Sequence, residues 1–290
     1  MEIKNSEMPL QADGSVYHLN LQPEEIADTL ILVGDPGRVP TVSAKFDAVE
    51  FRKQNREIVT HTGTYKGKRI SVLSTGMGTD NLDIVLNELD ALVNIDLQKR
   101  EPKQTHKSLN LIRLGTCGAL QPDLEINSFI ASQYVLGMDG LLHYYQHDND
   151  LSDQEIVRTF MAKTAWNNNF PKPYAIKSSD FLLDKIAFDM RKGITLTASG
   201  FYAPQCRMLR LPLGMPDFAQ RLVGVQAKNL PFTNMEMETS ALYALSRLLG
   251  HQALTICVVI TNRPNKTFSE NYQSAMEKLI ETVLERIGNA

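Results

Sequence analysis

The stretch Ile70-Ser-Val-Leu-Ser-Thr-Gly-Met-Gly78 decides the fold class. Its first half is typical of a buried strand, and its second half is a turn of small residues. Thr79 or Asp80 can then cap a helix. Apolar residues recur at helical spacing behind this cap, at Leu82, Val85, Leu86, Leu89 and Val93. A strand, a small-residue turn and a helix in this order indicate an α/β protein.

The same pattern occurs twice more, on either side of this stretch. Residues 30–33 form an apolar run that breaks at Gly34-Asp-Pro-Gly-Arg38, and residues 109–118 form another that ends in Gly115-Thr-Cys-Gly118. Further along the chain, apolar runs predict strands at 129–136, 194–198 and 253–260, and apolar periodicity predicts helices at 153–166 and 270–287. Ligands of α/β sheets bind outside the carboxyl ends of the strands, so we expect the functional residues at these breaks.

Length and composition predict one globular domain. The chain has 290 residues, of which 43% are apolar, and this is enough for a sizeable core. No internal repeat or Gly/Ser linker divides it, so we assign residues 1–290 to a single domain with a polar leader at 1–17. A formal net charge of −3 and a pI near 6.1 argue against a nucleic-acid partner.

The cysteines and the apolar runs bear on the compartment. Cys117, Cys206 and Cys257 are odd in number and widely spaced, which favours neither a disulfide framework nor a thiolate metal site. The start of the chain lacks an apolar signal segment, and the longest apolar run, residues 253–260, is too short to span a bilayer. We therefore expect a cytoplasmic protein with no membrane partner.

Two carboxylates alternate with two thioethers in Thr233-Asn-Met-Glu-Met-Glu-Thr-Ser240. If this segment is extended, Glu236 and Glu238 lie on one face and Met235 and Met237 on the other. Ionised carboxylates only accept hydrogen bonds, so such an acidic edge suits the hydroxyls of a vicinal diol. The alternative is a solvated strand end that carries two charges.

Arg113 lies inside an apolar strand and therefore needs an anion, because an unpaired buried guanidinium costs several kcal/mol. That anion is either a carboxylate of the protein or a ligand. Thr116 adds a hydroxyl donor, and glycine turns let backbone N–H groups approach an oxyanion closely; these turns contain Gly34, Gly37, Gly76, Gly78, Gly115 and Gly118. A small phosphate ion held by arginines and a threonine is the ligand that fits this pattern.

Several other chemistries lack support. Gly76-Met-Gly78 is missing the third glycine of a dinucleotide fingerprint, and nothing matches a P-loop, so neither NAD nor ATP is indicated. His143 and His147 have the spacing of metal ligands on a helix, but no third ligand accompanies them. The chain also has no nucleophile elbow. We expect no organic cofactor and assign no metal site from these patterns.

Five motifs in order give the chain its resemblance to the nucleoside phosphorylase family, most closely to the branch that cleaves uridine. They are Gly34-Asp-Pro-x-Arg38, Arg113-x-Gly-Thr116, Phe201-Tyr-x-x-Gln205-x-Arg207, Glu236-Met-Glu238 and Asn262-Arg263. The resemblance runs from about His18 to the last helix. It implies a three-layer fold, in which a central mixed and twisted sheet is flanked by helices.

The resemblance also implies a role for each matching residue. Phosphate would be bound by Gly34, Arg38, Arg56, Arg113 and Thr116, and ribose by His18, Glu236, Met237 and Glu238. The base would be bound by Phe201, Gln205, Arg207, Ile260 and Arg263, and the groups closest to the chemistry would be Arg113, Arg207, Gln205 and Glu238. His18 and Arg56 match residues that the family supplies from a neighbouring subunit. The family resemblance thus implies at least a homodimer and leaves a trimer of dimers open.

The implied reaction is cleavage of the N-glycosidic bond of uridine by inorganic phosphate, which yields uracil and ribose 1-phosphate. Phosphate is then a co-substrate. A monovalent cation such as K⁺ between subunits, at Glu57, Met77 and Asn81, is left open because Asn81 replaces a more usual serine.

The choice of base has a physical reason in the sequence. Purine phosphorylases resemble this chain but place an acidic residue after the last core strand, where it protonates the leaving base. Thr261-Asn-Arg263 offers no acid, whereas a guanidinium and an amide stabilise a departing uracil anion without proton transfer. The alternatives are another nucleoside phosphorylase, a nucleosidase of the purine or methylthioadenosine type, and a non-catalytic nucleoside-binding protein.

Overall fold

A computed structural model describes residues 2–148 and 150–289. Met1 of the predicted leader, Asn149 and Ala290, the last residue of the predicted domain, lie outside the described residues. Within them, the helices are α1 (Arg38–Ser43), α2 (Thr79–Asn94), α3 (Gln154–Thr164), α4 (Asp180–Ile186), α5 (Thr239–Leu248) and α6 (Tyr272–Gly288). The strands are β1 (Thr29–Val33), β2 (Ala48–Asn55), β3 (Ile58–Tyr65), β4 (Lys68–Ser74), β5 (Ile95–Asp96), β6 (Glu101–Pro102), β7 (Asn110–Ala119), β8 (Phe129–Gly137), β9 (Tyr174–Lys177), β10 (Arg191–Thr197), β11 (Gln226–Ala227), β12 (Leu230–Glu236), β13 (Gln252–Asn262) and β14 (Thr267–Phe268).

The large sheet is mixed and has the order β11-β12-β10-β8-β13-β7-β1-β4-β3-β2. β1 runs parallel to β4 and β7, and β13 runs parallel to β7 but antiparallel to β8. β12 pairs with β7 as well as with β10, through Asn234 opposite Ala119 and Met235 opposite Gly118. This additional pairing closes β7, β13, β8, β10 and β12 into a ring.

The sheet is covered on both faces around β1, and this explains why the buried residues of β1 are all apolar. Leu30 and Leu32 pack on the side of α2 and α5, whereas Ile31 and Val33 pack on the side of α1, α4 and α6. A parallel strand buried on both faces has no polar side to show, so it reads as a continuous hydrophobic run. The predicted three-layer fold with a mixed central sheet is confirmed.

Several elements were not predicted, namely the short helices α1 and α4, the β2–β3 hairpin and the short strands β5, β6, β9, β11 and β14. Side chains along β2 alternate between exposed and half-buried, so the strand carries no buried apolar face to mark it in the sequence. Elsewhere the differences are at the ends of elements. The helix predicted at 153–166 is α3, and the carboxylate of Asp153 caps it by accepting from the N–H groups of Glu155 and Ile156. Within the described residues, no helix is both long enough and apolar enough to cross a bilayer.

Candidate active site

Arg113 is held by two carboxylates. It is buried at the fourth position of β7, opposite Leu32, the last residue but one of β1. Its guanidinium forms ion pairs with Glu236, at 3.2 Å, and with Glu238. Burial alone would lower the pKa of Arg113, but the charges of Glu238 and Glu236 raise it above its ordinary value. The sequence left open whether Arg113 pairs with a carboxylate of the protein or with a ligand. In the structure it pairs with two carboxylates of the protein.

Gly115 makes room for this guanidinium. Residues 113 and 115 share a face of β7, and the Arg113 side chain folds back over Gly115. A Cβ at Gly115 would lie 2.3 Å from Nη1 and 2.8 Å from Cζ of Arg113. The glycine predicted to approach an oxyanion therefore serves a different purpose, since it lets the charged end of Arg113 lie flat against the strand.

Glu236 and Glu238 converge on Arg113, but they do not form the predicted extended edge. β12 ends at Glu236, Met237 is half-buried, and Glu238 is the residue from which α5 begins. The Glu236 carboxylate accepts from the N–H groups of Glu238 and Thr239 at 3.0–3.1 Å and from the hydroxyl of Thr197. Glu236 thus caps α5 and holds Arg113, and within the described residues its oxygens are already occupied by these donors.

Glu238 connects the start of α5 to the start of α2. One oxygen of its carboxylate meets Arg113, and the other accepts the N–H of Gly78 at 2.7 Å. Gly78 precedes α2 with a φ of 96°, a conformation that glycine adopts without strain. Burial raises the pKa of Glu238, although the charge of Arg113 opposes this. Two helix N-termini, each with a partial positive charge, therefore face the same carboxylate cluster.

A second guanidinium lies near Arg113. Arg38, at the start of α1, is half-buried and donates from Nη1 to the carbonyl of Leu114 at 3.1 Å. Burial lowers the pKa of Arg38, and the charge of Arg113 lowers it further. Gly34, just after the end of β1, and Thr116, inside β7, are half-buried, and within the described residues the Thr116 hydroxyl makes no hydrogen bond. An anion between Arg38 and Arg113 would relieve the repulsion between the two cations.

Phe201, Gln205 and Arg207 form a second group on the loop after β10. The Arg207 guanidinium lies 4.0 Å from the centre of the Phe201 ring and donates to the carbonyl of Phe201 and to Oε1 of Gln205. Burial and the charge of Arg263 lower the pKa of Arg207 to about 10. Within the described residues, Nε2 of Gln205 and Nη2 of Arg207 have no acceptor, so both donors are free to bind a ligand.

The side chain of Arg263 holds this loop by binding the loop's backbone. Its guanidinium donates to the carbonyls of Gln205 and Cys206. Asn262 is buried and bonds to the carbonyls of Gln121 and Leu124, so its role is to fix the chain rather than to contact a ligand. Ile260 is half-buried at a bulge in β13. Phe201, Gln205 and Arg207 are thus brought together, and Arg263 fixes the backbone of the loop that carries them.

The segment 144–172, whose role the sequence did not indicate, packs behind the same loop. Trp166 and Phe170 line a cavity of about 310 Å³ together with Ala203, Pro204 and Met215 of the loop. Trp166 also packs edge-on against Phe170 and Phe218. The described part of this segment therefore lies next to the loop that carries Gln205 and Arg207.

His18 and Arg56 lie close together at the turn between β2 and β3. His18 binds Glu88 of α2 through Nδ1 and its backbone N–H, and Asn55 donates to the His18 carbonyl. Arg56 follows Asn55 in the β2–β3 turn and is exposed, with a φ of 53°. Within the described residues, neither side chain contacts Arg38, Arg113 or Glu238 through a hydrogen bond or an ion pair.

Glu57 and Asn81, two of the three residues at which a monovalent cation was left open, both lie next to Gly76. A Cβ there would lie 2.2 Å from Nδ2 of Asn81 and 3.4 Å from Cγ of Glu57. Met77 beside them is 78% exposed. The side chains of Glu57 and Asn81 are neighbours, and a cation at this position stays a prediction.

A different group, Asp90, His106 and His251, has the donor atoms of a metal site. Nδ1 of His251 accepts the N–H of Leu109 at 3.2 Å, so the proton of the neutral ring is on Nε2, which faces Asp90 at 3.3 Å. Nε2 therefore has no lone pair to offer a metal ion. Nε2 of His106 contacts the carbonyl of Leu249 at 2.8 Å. We read the group as a polar contact between α2 and the start of β13.

Sequence reasoning missed Thr197 and the carboxylate that Gly78 binds. Thr197 ends β10 and bonds to Glu236, and Gly78 bonds to Glu238. Thr197 has no local signal, because threonine is common in strands and its partner lies 39 residues away. The turn containing Gly78 was recognised, but its contact with Glu238 spans 160 residues.

Comparison with known proteins identifies the class to which this fold and site belong. Residues 28–287 match the model of the phosphorylase superfamily, and the chain therefore belongs to that superfamily. A uridine phosphorylase of Thermococcus kodakarensis is 30% identical over 268 residues, which cover 92% of this chain and 84% of the relative. A DeoD-type purine nucleoside phosphorylase of Bacillus cytotoxicus is 31% identical over 279 residues, covering 92% and 97%.

Solved structures agree with this assignment. The crystal structure of a Trypanosoma brucei nucleoside phosphorylase, described as showing uridine phosphorylase activity, has a TM-score of 0.88 and 32% identity, and the match covers 98% of this chain and 100% of that one. A uridine phosphorylase of Phytophthora capsici has a TM-score of 0.70 at 23% identity and shares the fold.

Proposed function

We propose that the chain is a nucleoside phosphorylase that cleaves uridine with inorganic phosphate, giving uracil and ribose 1-phosphate. The observation that carries the choice of base is the bond from Arg207 to Oε1 of Gln205. It fixes the amide so that Gln205 presents its Nε2 donors and a second Oε1 lone pair, while Nη2 of Arg207 adds a further donor. Uracil offers the complementary edge, a carbonyl, an N–H and a second carbonyl.

The other half of the site supports phosphate and ribose. Arg38 and Arg113 are neighbouring cations near the half-buried Gly34 and Thr116, and phosphate would lie against them. Glu238 is the carboxylate of the pair that is not used to cap α5, so we assign it to a ribose hydroxyl, with Met237 beside it. Glu236 acts through Arg113, because its own oxygens are occupied.

The reaction then follows from position and charge. As the bond between C1′ and N1 lengthens, its electron pair moves onto the base, and positive charge develops on the ribose ring. Gln205 and Arg207 stabilise the negative charge on the carbonyl oxygens of uracil. A phosphate oxygen held on the opposite side forms the new bond to C1′, and the uracil anion takes a proton from water. Holding both reactants in line supplies much of the rate.

His18 and Arg56 belong to this proposal as groups that serve a neighbouring subunit. The two are positioned near each other, and Arg56 is exposed, as a residue that reaches another molecule has to be. A homodimer with two such shared sites is the smallest assembly that fits. Assembly into a trimer of dimers, and a monovalent cation at Glu57, Met77 and Asn81, are extensions of the same proposal.

A spectrophotometric assay tests the function. Uridine, thymidine and inosine are each incubated with and without phosphate, and the sugar product is identified. We expect uridine to give ribose 1-phosphate only when phosphate is present. Release of free ribose without phosphate would instead establish a nucleosidase, and binding of uridine without turnover would establish a non-catalytic binding protein.

Purine phosphorolysis is the second candidate, and the DeoD-type relatives at 30–31% identity favour it. Against it, Thr261-Asn-Arg263 offers no acid to protonate a departing purine, and Asn262 is engaged with backbone carbonyls. Inosine cleaved faster than uridine in the same assay would decide for the purine reaction.

A further inference from the structure

Thr197 is a buried hydroxyl at the last position of β10, directly opposite Glu236 in the sheet register. It makes two hydrogen bonds that differ in kind. Its Oγ1 receives the N–H of Ser240 at 3.0 Å, and it also bonds to Oε1 of Glu236. Ser240 lies in the first turn of α5, so the hydroxyl joins the strand end, the helix start and the carboxylate.

The direction of these bonds is fixed by the partners. A backbone N–H can only donate, so Thr197 accepts from Ser240, and an ionised carboxylate can only accept, so the Thr197 proton points to Glu236. The Glu236 carboxylate is then held from one side by Thr197 and from the other by Arg113, whose Nη1 lies 3.2 Å from Oε2. No rotation of the hydroxyl satisfies both neighbours in another way.

We propose that Thr197 is a positioning residue for Arg113, acting through Glu236. Hydrogen bonds to charged groups are among the stronger ones, and a carboxylate that loses one is free to shift toward its remaining donors. Arg113 would follow, because Glu236 is one of its two anchors. This inference rests on the proposed function, in which Arg113 binds phosphate, and it assigns to Thr197 the orientation of that guanidinium rather than any contact with substrate.

The test compares Thr197→Val, which keeps the shape and removes the donor, with Thr197→Ser, which keeps the donor and removes a methyl group. We expect T197V to raise the KM for phosphate about tenfold while the KM for uridine changes less than about twofold. T197S should stay within about twofold of the parent in both. A merely structural loss would lower the amount of active enzyme and leave both KM values unchanged.

Thr195→Val is the matched control. Thr195 lies two residues earlier on the same strand, is equally buried and bonds to Ser132 and Asn234, but it has no bond to Glu236. T195V is therefore expected to lower the melting temperature without changing the KM for phosphate. Should T197V fail to fold, Thr197→Cys takes its place, since Cys is close to Ser in size but a far weaker donor.

The outcomes separate this inference from the proposed function. If the parent shows no phosphate-dependent turnover, the proposed function fails and this inference with it. If Arg113→Ala impairs phosphate use while T197V, or T197C in its place, has the parental KM for phosphate, only the role of Thr197 is wrong. The rise in melting temperature that phosphate gives the parent provides a second readout, and we expect T197V to need about tenfold more phosphate for the same rise.

Discussion

Arg113 and Glu238 form a buried ion pair, and the same carboxylate accepts the backbone N–H of Gly78. The pair thereby connects β7, the start of α5 and the turn before α2. Buried ion pairs add little to stability as pairs, but removing one partner leaves an uncompensated charge. Stability and activity should therefore respond together at Arg113.

Replacing Arg113 by Ala leaves Glu236 and Glu238 buried without their cation. We expect the free energy of unfolding, measured in urea, to fall by about 3–5 kcal/mol and phosphate-dependent turnover to fall at least about a hundredfold. Arg191, which pairs with Asp123 on the surface, provides the control, and Arg191→Ala should cost less than about 1 kcal/mol. An R113A enzyme with near-parental turnover would refute the assignment of Arg113 to phosphate.

Replacing Gly115 by Ala places a methyl group where the Arg113 guanidinium now lies, 2.3 Å from Nη1. The arginine has to move, so we expect the KM for phosphate to rise at least about tenfold, with a loss of stability of about 1–3 kcal/mol from overpacking. Steady-state kinetics at varied phosphate measure the first effect and urea unfolding the second. An unchanged KM would mean that the present position of the guanidinium is not the one used in turnover.

Cytidine tests whether the base is recognised by hydrogen bonds to Gln205 and Arg207 or only by its size and shape. Its amino group would face the donors of Arg207 where uracil presents a carbonyl, and a polar group left without its partner in a buried site is strongly rejected. We expect kcat/KM for cytidine to be at least about a thousandfold below that for uridine, measured by the release of cytosine. Comparable rates would show that Gln205 and Arg207 do not read this edge.

Arg263 is expected to act on the base and not on phosphate. Arg263→Met keeps most of the apolar stem and removes the donors to the carbonyls of Gln205 and Cys206. The loop that carries Gln205 and Arg207 should loosen, and the KM for uridine should rise about tenfold while the KM for phosphate stays within about twofold. Equal effects on both substrates would contradict this division of the site.

Mixing two inactive variants tests the shared site. If Arg56 serves the neighbouring subunit, Arg56→Ala and Arg113→Ala place their defects in one site of a hybrid dimer and leave the other site intact. Random reassembly of equal amounts should then restore about a quarter of the parental activity, because half of the dimers are hybrids with one intact site of two. Activity that stays at the level of the separate variants would mean that one subunit supplies both arginines to its own site, and would refute the shared site.

Much of the fold could be predicted because the strands β1, β7 and β13 are buried on both faces and are therefore recognisable in the sequence as apolar runs. The glycine turns after them indicated a candidate site, and Arg113 was recognised because a cation inside such a run requires an anion. β2 could not be predicted in the same way, since none of its side chains is fully buried. β2 is held in the sheet by its antiparallel pairing with β3.

The carboxylates show the limit of local pattern. Alternation in 233–238 predicted an extended edge, but the chain bends at Met237 and Glu238 and enters α5 at Thr239, because Glu236 satisfies the N–H groups at the start of that helix. Both carboxylates reach Arg113 all the same. The contacts that fix them, from Thr197 and Gly78, join residues far apart in the chain, and nothing in either neighbourhood marks them.

The closed ring of strands has a consequence for amide exchange with deuterated water. At Asn234 and Met235, β12 has a partner strand on each side, so these amides are released only when the ring itself opens. The loop that carries Gln205 and Arg207 has no flanking ladder of this kind, so its amides should exchange much sooner. In the proposed function, the sugar and phosphate would rest on strands that open slowly, whereas the base would be held by a loop that can loosen and release it while those strands stay paired.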